Sequence, residues 1–362
     1  MQGDKSMHKD DQMTSNERMQ NYFEGKDIDR LPAMPFIDSI GAVIAGTPHR
    51  EKRKSAENQA KVQLICYEKL GNDGLSIEYG LHGIGAACGS ELDDPENAVQ
   101  SIKKYAMESL DDMKHLDLNA VRKENDPWFN MNYDACQICL DKLGQEVGTS
   151  VCIPGPFTAA ASLFPLEKLL ISLRKRPEET SELLRFATEA VKIVGEGFAS
   201  TGVDIFLADP IASCDIISEK CYRQYVLPYK QEIVKHIQKH KVAVGYHICG
   251  NTLKIAEAML ESGCDMLSVD TKVDLEFAKK IAGSKMPIIG NVDPINTMML
   301  GTVEDVYENV KDNIRKCADS PCGYIVSNGC DIPVNAPVEN VYAFMDAVRK
   351  YGKWPVNLEV LR

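Results

Sequence analysis

Eight short apolar runs, at 33–37, 75–80, 147–156, 203–210, 244–249, 264–270, 286–294 and 324–330, constrain this chain more than any other feature. Stretches with apolar residues at helical spacing separate them. Parallel strands need a crossover between neighbours and are buried on both faces, so apolar runs alternating with helices read as a parallel sheet. Over this length the pattern predicts an α/β fold, a (β/α)8 TIM barrel, with a doubly wound open sheet as the alternative. The barrel is preferred because the runs end in residues able to do chemistry: Glu78, Asp209, His247, Cys249, Asp270, Asn291, Asp293 and Cys330. A barrel gathers the C-terminal ends of its strands at one mouth. No GxGxxG or GxxxxGK[ST] string argues for a nucleotide fold.

Residues 1–15 read as a disordered polar leader, and 16–362 as a single barrel domain with an N-terminal helical extension. Helices are predicted over 17–25, closed by Gly25, and over 55–70, stopped at Gly71. Further helical segments are expected at 92–144 (acidic, broken at Asp126-Pro127), at 177–201, from Ser218 past Tyr229 to about His240, and at 338–351.

A net charge of −12 argues against nucleic acid as a partner, because phosphate contacts require clustered Lys and Arg. No signal-like start and no run of about 18 apolar residues occurs, so a cytoplasmic protein that neither is secreted nor enters a membrane is expected. Twelve cysteines in such a chain read as reduced thiols. Cys136 and Cys139 have CxxC spacing but sit mid-helix with no second pair, which favours packing over metal or redox chemistry.

The run at 244–249 carries the sharpest signal. Strand side chains alternate faces, so His247 and Cys249 point one way and Ile248 the other, while Tyr246 faces away from both. The run ending at Cys330 has the same grammar: apolar residues, then polar ones, Gly and Cys. If the fold joins these two ends, His247, Cys249 and Cys330 make a three-ligand site with one position free, the form of catalytic zinc. Each residue alone would be read as a packed histidine or thiol; the spacing makes the metal reading.

Gly155-Pro-Phe-Thr158, Asp209-Pro210 with Tyr222 and Pro228-Tyr229, Gly290-Asn-Val-Asp-Pro294, and the stretches 25–32 and 335–341 resemble the uroporphyrinogen decarboxylase superfamily from Glu17 onward. The resemblance implies a (β/α)8 barrel. His-x-Cys after strand five with a later Cys is similar to the zinc-dependent cobamide methyltransferase branch. No arginine occurs in 37–46, where the decarboxylases carry a substrate-binding loop.

That branch implies methyl transfer between the cobalt of a corrinoid (cobalamin) carried on a partner protein and a small thiol, methoxyl or other methylated substrate. Zn2+ would activate the substrate sulfur or oxygen. Two other readings stand beside it: a metal-free decarboxylase-type lyase, and a non-catalytic corrinoid- or metal-binding protein. Glu78 and Asp209 are the candidate catalytic carboxylates at the mouth. Asn291 and Asp293 are the candidates near a bound cofactor, although Asn-Val-Asp-Pro also supplies ordinary turn chemistry.

Overall fold

The computed structural model describes residues 8–361. Seven strands form one parallel sheet: β1 (Leu75–Glu78), β4 (Thr149–Pro154), β5 (Asp204–Ala208), β6 (Val244–Ile248), β7 (Met266–Val269), β8 (Ile288–Val292) and β9 (Tyr324–Asn328), in that order. Between β1 and β4 the chain forms a small antiparallel pair, β2 (Glu91–Leu92) with β3 (Ile102–Lys104). Every residue of β6, β8 and β9 is buried, as expected for strands covered on both faces.

The first predicted strand is the correction to the barrel count. Residues 33–37 lie between β9 and the start of β1, but a single bridge, Ala33 to Val326, is all that registers as sheet. Met34 donates to the Val326 carbonyl at 2.9 Å and Asp73 N–H to the Ala33 carbonyl at 2.7 Å. Pro35 has no N–H to continue the ladder. The Asn328 side chain takes over instead, accepting from Phe36 N–H at 2.9 Å and donating to the Phe36 carbonyl at 3.1 Å.

Several helices match their sequence signals. Ser55 caps Ala56–Leu70, which ends at Gly71 with φ +65°; Pro177–Ala199 and Val338–Tyr351 are continuous. The segment expected to be helical over 92–144 is helical only at Pro127–Leu143. Upstream, Ser109 and Asp117 turn their side chains onto nearby backbone N–H groups, making two short 3-10 turns rather than a helix. The helix after Ser218 splits at Val226 into Glu219–Tyr225 and Leu227–Ile237, because Pro228 removes a donor. Cys136 and Cys139 are fully buried in the Pro127–Leu143 helix. Among the described residues no single helix is long and apolar enough to cross a membrane.

Of the expected leader, residues 1–7 lie outside the described residues, and from His8 onward the chain is docked. Asp11 accepts from Arg30 at 2.9 and 3.1 Å and from Arg349 at 2.9 Å. Arg30 continues to Asp73 at 2.7 Å, and Arg18 bridges Asp73 and Asp29. The side chains of Arg18, Arg30, Asp11 and Asp73 are at most 3% exposed. These ion pairs tie the first helix, Ser15–Phe23, the approach to β1 and the last helix into one seam.

Removing one partner of a buried ion pair leaves the other charge uncompensated. Asp73→Ala, which strands both Arg18 and Arg30, is therefore expected to lower stability by about 3–5 kcal/mol in urea unfolding. Burial opposes the charge on Asp29, but hydrogen bonding and charge from Arg18 outweigh it and hold the carboxyl down to about 2. A depressed folded-state pKa stabilises above the unfolded value, about 3.9, and that contribution disappears as pH falls toward 2. Acid titration should show Asp29→Asn losing part of the wild-type stability drop between about pH 4 and 2.

Candidate metal centre

The parallel register builds the centre. His247 lies directly opposite Ser268 on β7, and its Nδ1 is 3.0 Å from Ser268 Oγ. With Nδ1–H donating to that hydroxyl, the Nε2 lone pair faces the sulfurs. Nε2 lies 3.2 Å from Cys249 Sγ, which is 3.3 Å from Cys330 Sγ. The three donor atoms all lie within 4.8 Å of one another. Strands 81 residues apart in sequence thus deliver one imidazole and two thiols to one point, as their alternation and endings predict.

The turns after the strands hold these ligands in place. Gly250, at φ +83°, reverses the chain behind Cys249, and its N–H donates to Asp270 at 2.8 Å. The ring of Phe36 packs against His247 with centroids 5.7 Å apart. A hydrogen bond from Cys249, aided by His247 and opposed by burial, holds the Cys330 thiol far below its ordinary range. The same bond raises Cys249. A divalent ion binds such sulfurs as thiolates and displaces their protons. The donor set fits a tetrahedral ion with a free position.

The centre opens into a cavity of about 310 Å³. Glu78, at the end of β1, lines it and lies 3.2 Å from Lys52 Nζ. Asp209 does not reach it, which corrects the expectation of a carboxylate at the mouth. Asp209 is fully buried, accepts from Thr158 N–H at 2.8 Å and Oγ at 2.7 Å, and faces Lys230 at 3.4 Å. Lys230 lies 3.9 Å over the Tyr246 ring, and Tyr246 shares a 3.0 Å hydrogen bond with Tyr222. A side chain on Gly155 would collide with both Asp209 and Lys230. Asp209 therefore lies at the centre of a buried polar cluster with Thr158 and Lys230.

Asn291 braces the turn after β7, Asp293 shapes the one after β8, and neither is among the residues lining the cavity. Asn291 donates to the Asp270 carbonyl at 2.9 Å and the Val273 carbonyl at 2.6 Å; Asp293 accepts from the N–H groups of Ile295 and Asn296, both at 2.8 Å. Cys152 lines the cavity, but burial pushes its thiol well above the ordinary range.

Sequence reading missed Ser268, Asp38, Lys52, Arg53 and Asp331. Ser268 had a signal, as the hydroxyl in the middle of an otherwise apolar strand core. Asp38 and Asp331 directly follow the first run and Cys330, and the loops bring both to the cavity. Burial, reinforced by Glu78, raises Asp38 to about 6. Asp331 is raised well above its ordinary value by burial and by Asp38.

The family profile of uroporphyrinogen decarboxylase (URO-D) matches residues 14–351. A methylcobamide:CoM methyltransferase (MtbA) from Methanosarcina acetivorans is 26% identical over 348 residues, covering 93% of this chain and 98% of that protein. A uroporphyrinogen decarboxylase from Wigglesworthia glossinidia brevipalpis is 25% identical over 315 residues, 83% of each. A solved methyltransferase from Methanosarcina mazei superposes with a TM-score of 0.79 at 24% identity, covering 94% of this chain and 99% of that one, and so shares the fold.

Two substitutions separate ligand support from structure. Ser268→Ala, measured by competition with a chromogenic chelator, should weaken metal retention by about 10–100-fold with the fold intact. Asp209→Ala strands Lys230 and should cost about 3–5 kcal/mol in urea unfolding, while metal bound to the folded fraction stays at the wild-type ratio.

Proposed function

This chain belongs to the uroporphyrinogen decarboxylase family, and we propose that within it the protein is a cytoplasmic, zinc-dependent methyltransferase. It would move a methyl group between a small thiol or methoxyl substrate and the cobalt of a corrinoid on a separate protein. The observation that carries the proposal is the convergence of His247, Cys249 and Cys330 at the cavity. The full-length likeness to methylcobamide:CoM methyltransferases supports the same reading.

His247, Cys249 and Cys330 would hold the zinc. When bound, the ion supplies a Lewis acid that favours a thiolate or polarises an ether oxygen. The protein contributes orientation: Ser268 fixes the imidazole, Asp270 braces the turn behind Cys249, and Phe36 walls the histidine. Glu78 is proposed as the carboxylate that meets the substrate, since it lines the cavity with its side chain 29% exposed.

A large corrinoid must be presented from outside, so its carrier would dock on loops at the C-terminal ends of the strands. Exposed Ile216, Leu253 and Ile295 follow β5, β6 and β8 and supply apolar surface there. Metal-free decarboxylation of a polyanionic porphyrinogen is the weaker reading. The lining cations are engaged: Lys52 with Glu78, and Arg53 with Asp94 at 2.9 Å and the Ala98 carbonyl at 3.0 Å.

Metal analysis with methyl transfer to or from free cobalamin tests the proposal. Wild type is expected to carry about one zinc per chain, as a single three-ligand catalytic site requires. Cys249→Ala and Cys330→Ala should lose both zinc and transfer; zinc retained in both variants would overturn the assignment. Ile295→Asp should slow transfer with the carrier protein and leave the rate with free cobalamin near wild type.

A further inference from the structure

The charges around the cavity narrow the substrate, given the methyl-transfer reading above. Three carboxylates line it, Asp38, Glu78 and Asp331, against two cations, Lys52 and Arg53. Both cations are already paired with carboxylates. Lys52 is 2% exposed and spends its ammonium on Glu78 at 3.2 Å and the Asp38 carbonyl at 3.1 Å. The charges of Asp38 and Asp331 also act on it. Arg53 commits both Nη atoms to Asp94 and the carbonyls of Pro95 and Ala98, so that only its buried Nε is without a partner. An anionic substrate would shed its water without gaining an uncommitted counter-ion in return.

The rest of the wall is apolar and rich in rings, with Phe36, Tyr79, Trp128, Phe206, Met34 and Ile289 facing the same space as His247 and Cys249. Phe36 and Phe206 lie with centroids 5.4 Å apart. Such a lining binds a flat apolar ligand, and the few polar groups in it set orientation. Glu78 is an acceptor for a hydroxyl beside the reacting group. Coenzyme M, the thiol in the names of several relatives, ends in a sulfonate for which this cavity offers no free cation.

We propose that the substrate is an uncharged one-ring aryl methyl ether bearing a free hydroxyl, read by Glu78, and that the cavity rejects anionic substrates, coenzyme M included.

The test is calorimetric titration of the zinc-loaded protein with three probes. These are 2-methoxyphenol, 2-methoxybenzoate, in which a carboxylate replaces the hydroxyl on the same ring, and coenzyme M. In wild type 2-methoxyphenol should bind at least about tenfold more tightly than either anion, as like-charge juxtaposition demands. Glu78→Gln releases Lys52 and should narrow the gap between the two ring compounds by about tenfold. Either anion binding as tightly as 2-methoxyphenol overturns the inference, as does a gap unchanged in the variant or no binding by any probe. Methyl transfer to cobalamin is scored separately. Tight 2-methoxyphenol binding without demethylation sinks the methyltransferase reading alone, whereas transfer that prefers coenzyme M sinks this inference alone.

Discussion

The barrel depends on a buried seam of opposite charges. Asp11, Asp29 and Asp73 interlock with Arg18, Arg30 and Arg349 where the first and last parts of the chain meet. A seven-strand sheet has two edges, and here the edges are joined by backbone around Ala33 rather than by a full eighth ladder. Two prolines in 32–35 deprive that segment of donors. The charges compensate by fixing its position: Asp73 accepts from Arg30 and also from Ala33 N–H at 2.7 Å. Gly71 is required in this setting, since it combines positive φ with close contact to Arg349 and Asp11.

Closure matters to the site because β6, in the middle of the sheet order, is separated by two strands from β9 at its edge. In a flat sheet β7 and β8 would hold Cys249 and Cys330 two strand spacings further apart. Curvature brings the sulfurs to 3.3 Å. Register then adds Ser268 beside His247 without any local sequence relation between them. A second buried polar unit, Asp209 with Thr158 and Lys230, works beneath the mouth. Thr158 and Asp209 of this unit lie in stretches that resemble the family's, and their contacts here are with the protein's own interior.

The cavity places carboxylates and thiols close together in a confined space. Lys52 is the common counter-ion of three acids, and its neutralisation by them leaves an apolar, ring-lined chamber with acceptors at one end.

Periodicity alone located seven of the eight strands, the helices expected at 55–70, 177–201 and 338–351, and the candidate ligand trio, because alternation and strand endings are local properties. It failed where local hydrogen bonding competed with the helix, as at Ser109 and Asp117, and where proline interrupted a ladder or helix, as at Pro35 and Pro228. Which way a strand-end carboxylate points is not local: Glu78 and Asp209 end strands alike, yet one faces the cavity and the other a buried lysine. The sequence by itself determined the barrel class and the identity of His247, Cys249 and Cys330 as a possible ligand set. Tertiary structure alone decided that Ser268 meets the histidine, that Asp209, Asn291 and Asp293 stand outside the cavity lining, and that Lys52 is paired with Glu78. Those outcomes depend on register and on loops meeting across hundreds of residues, and neither leaves a periodic trace in the chain.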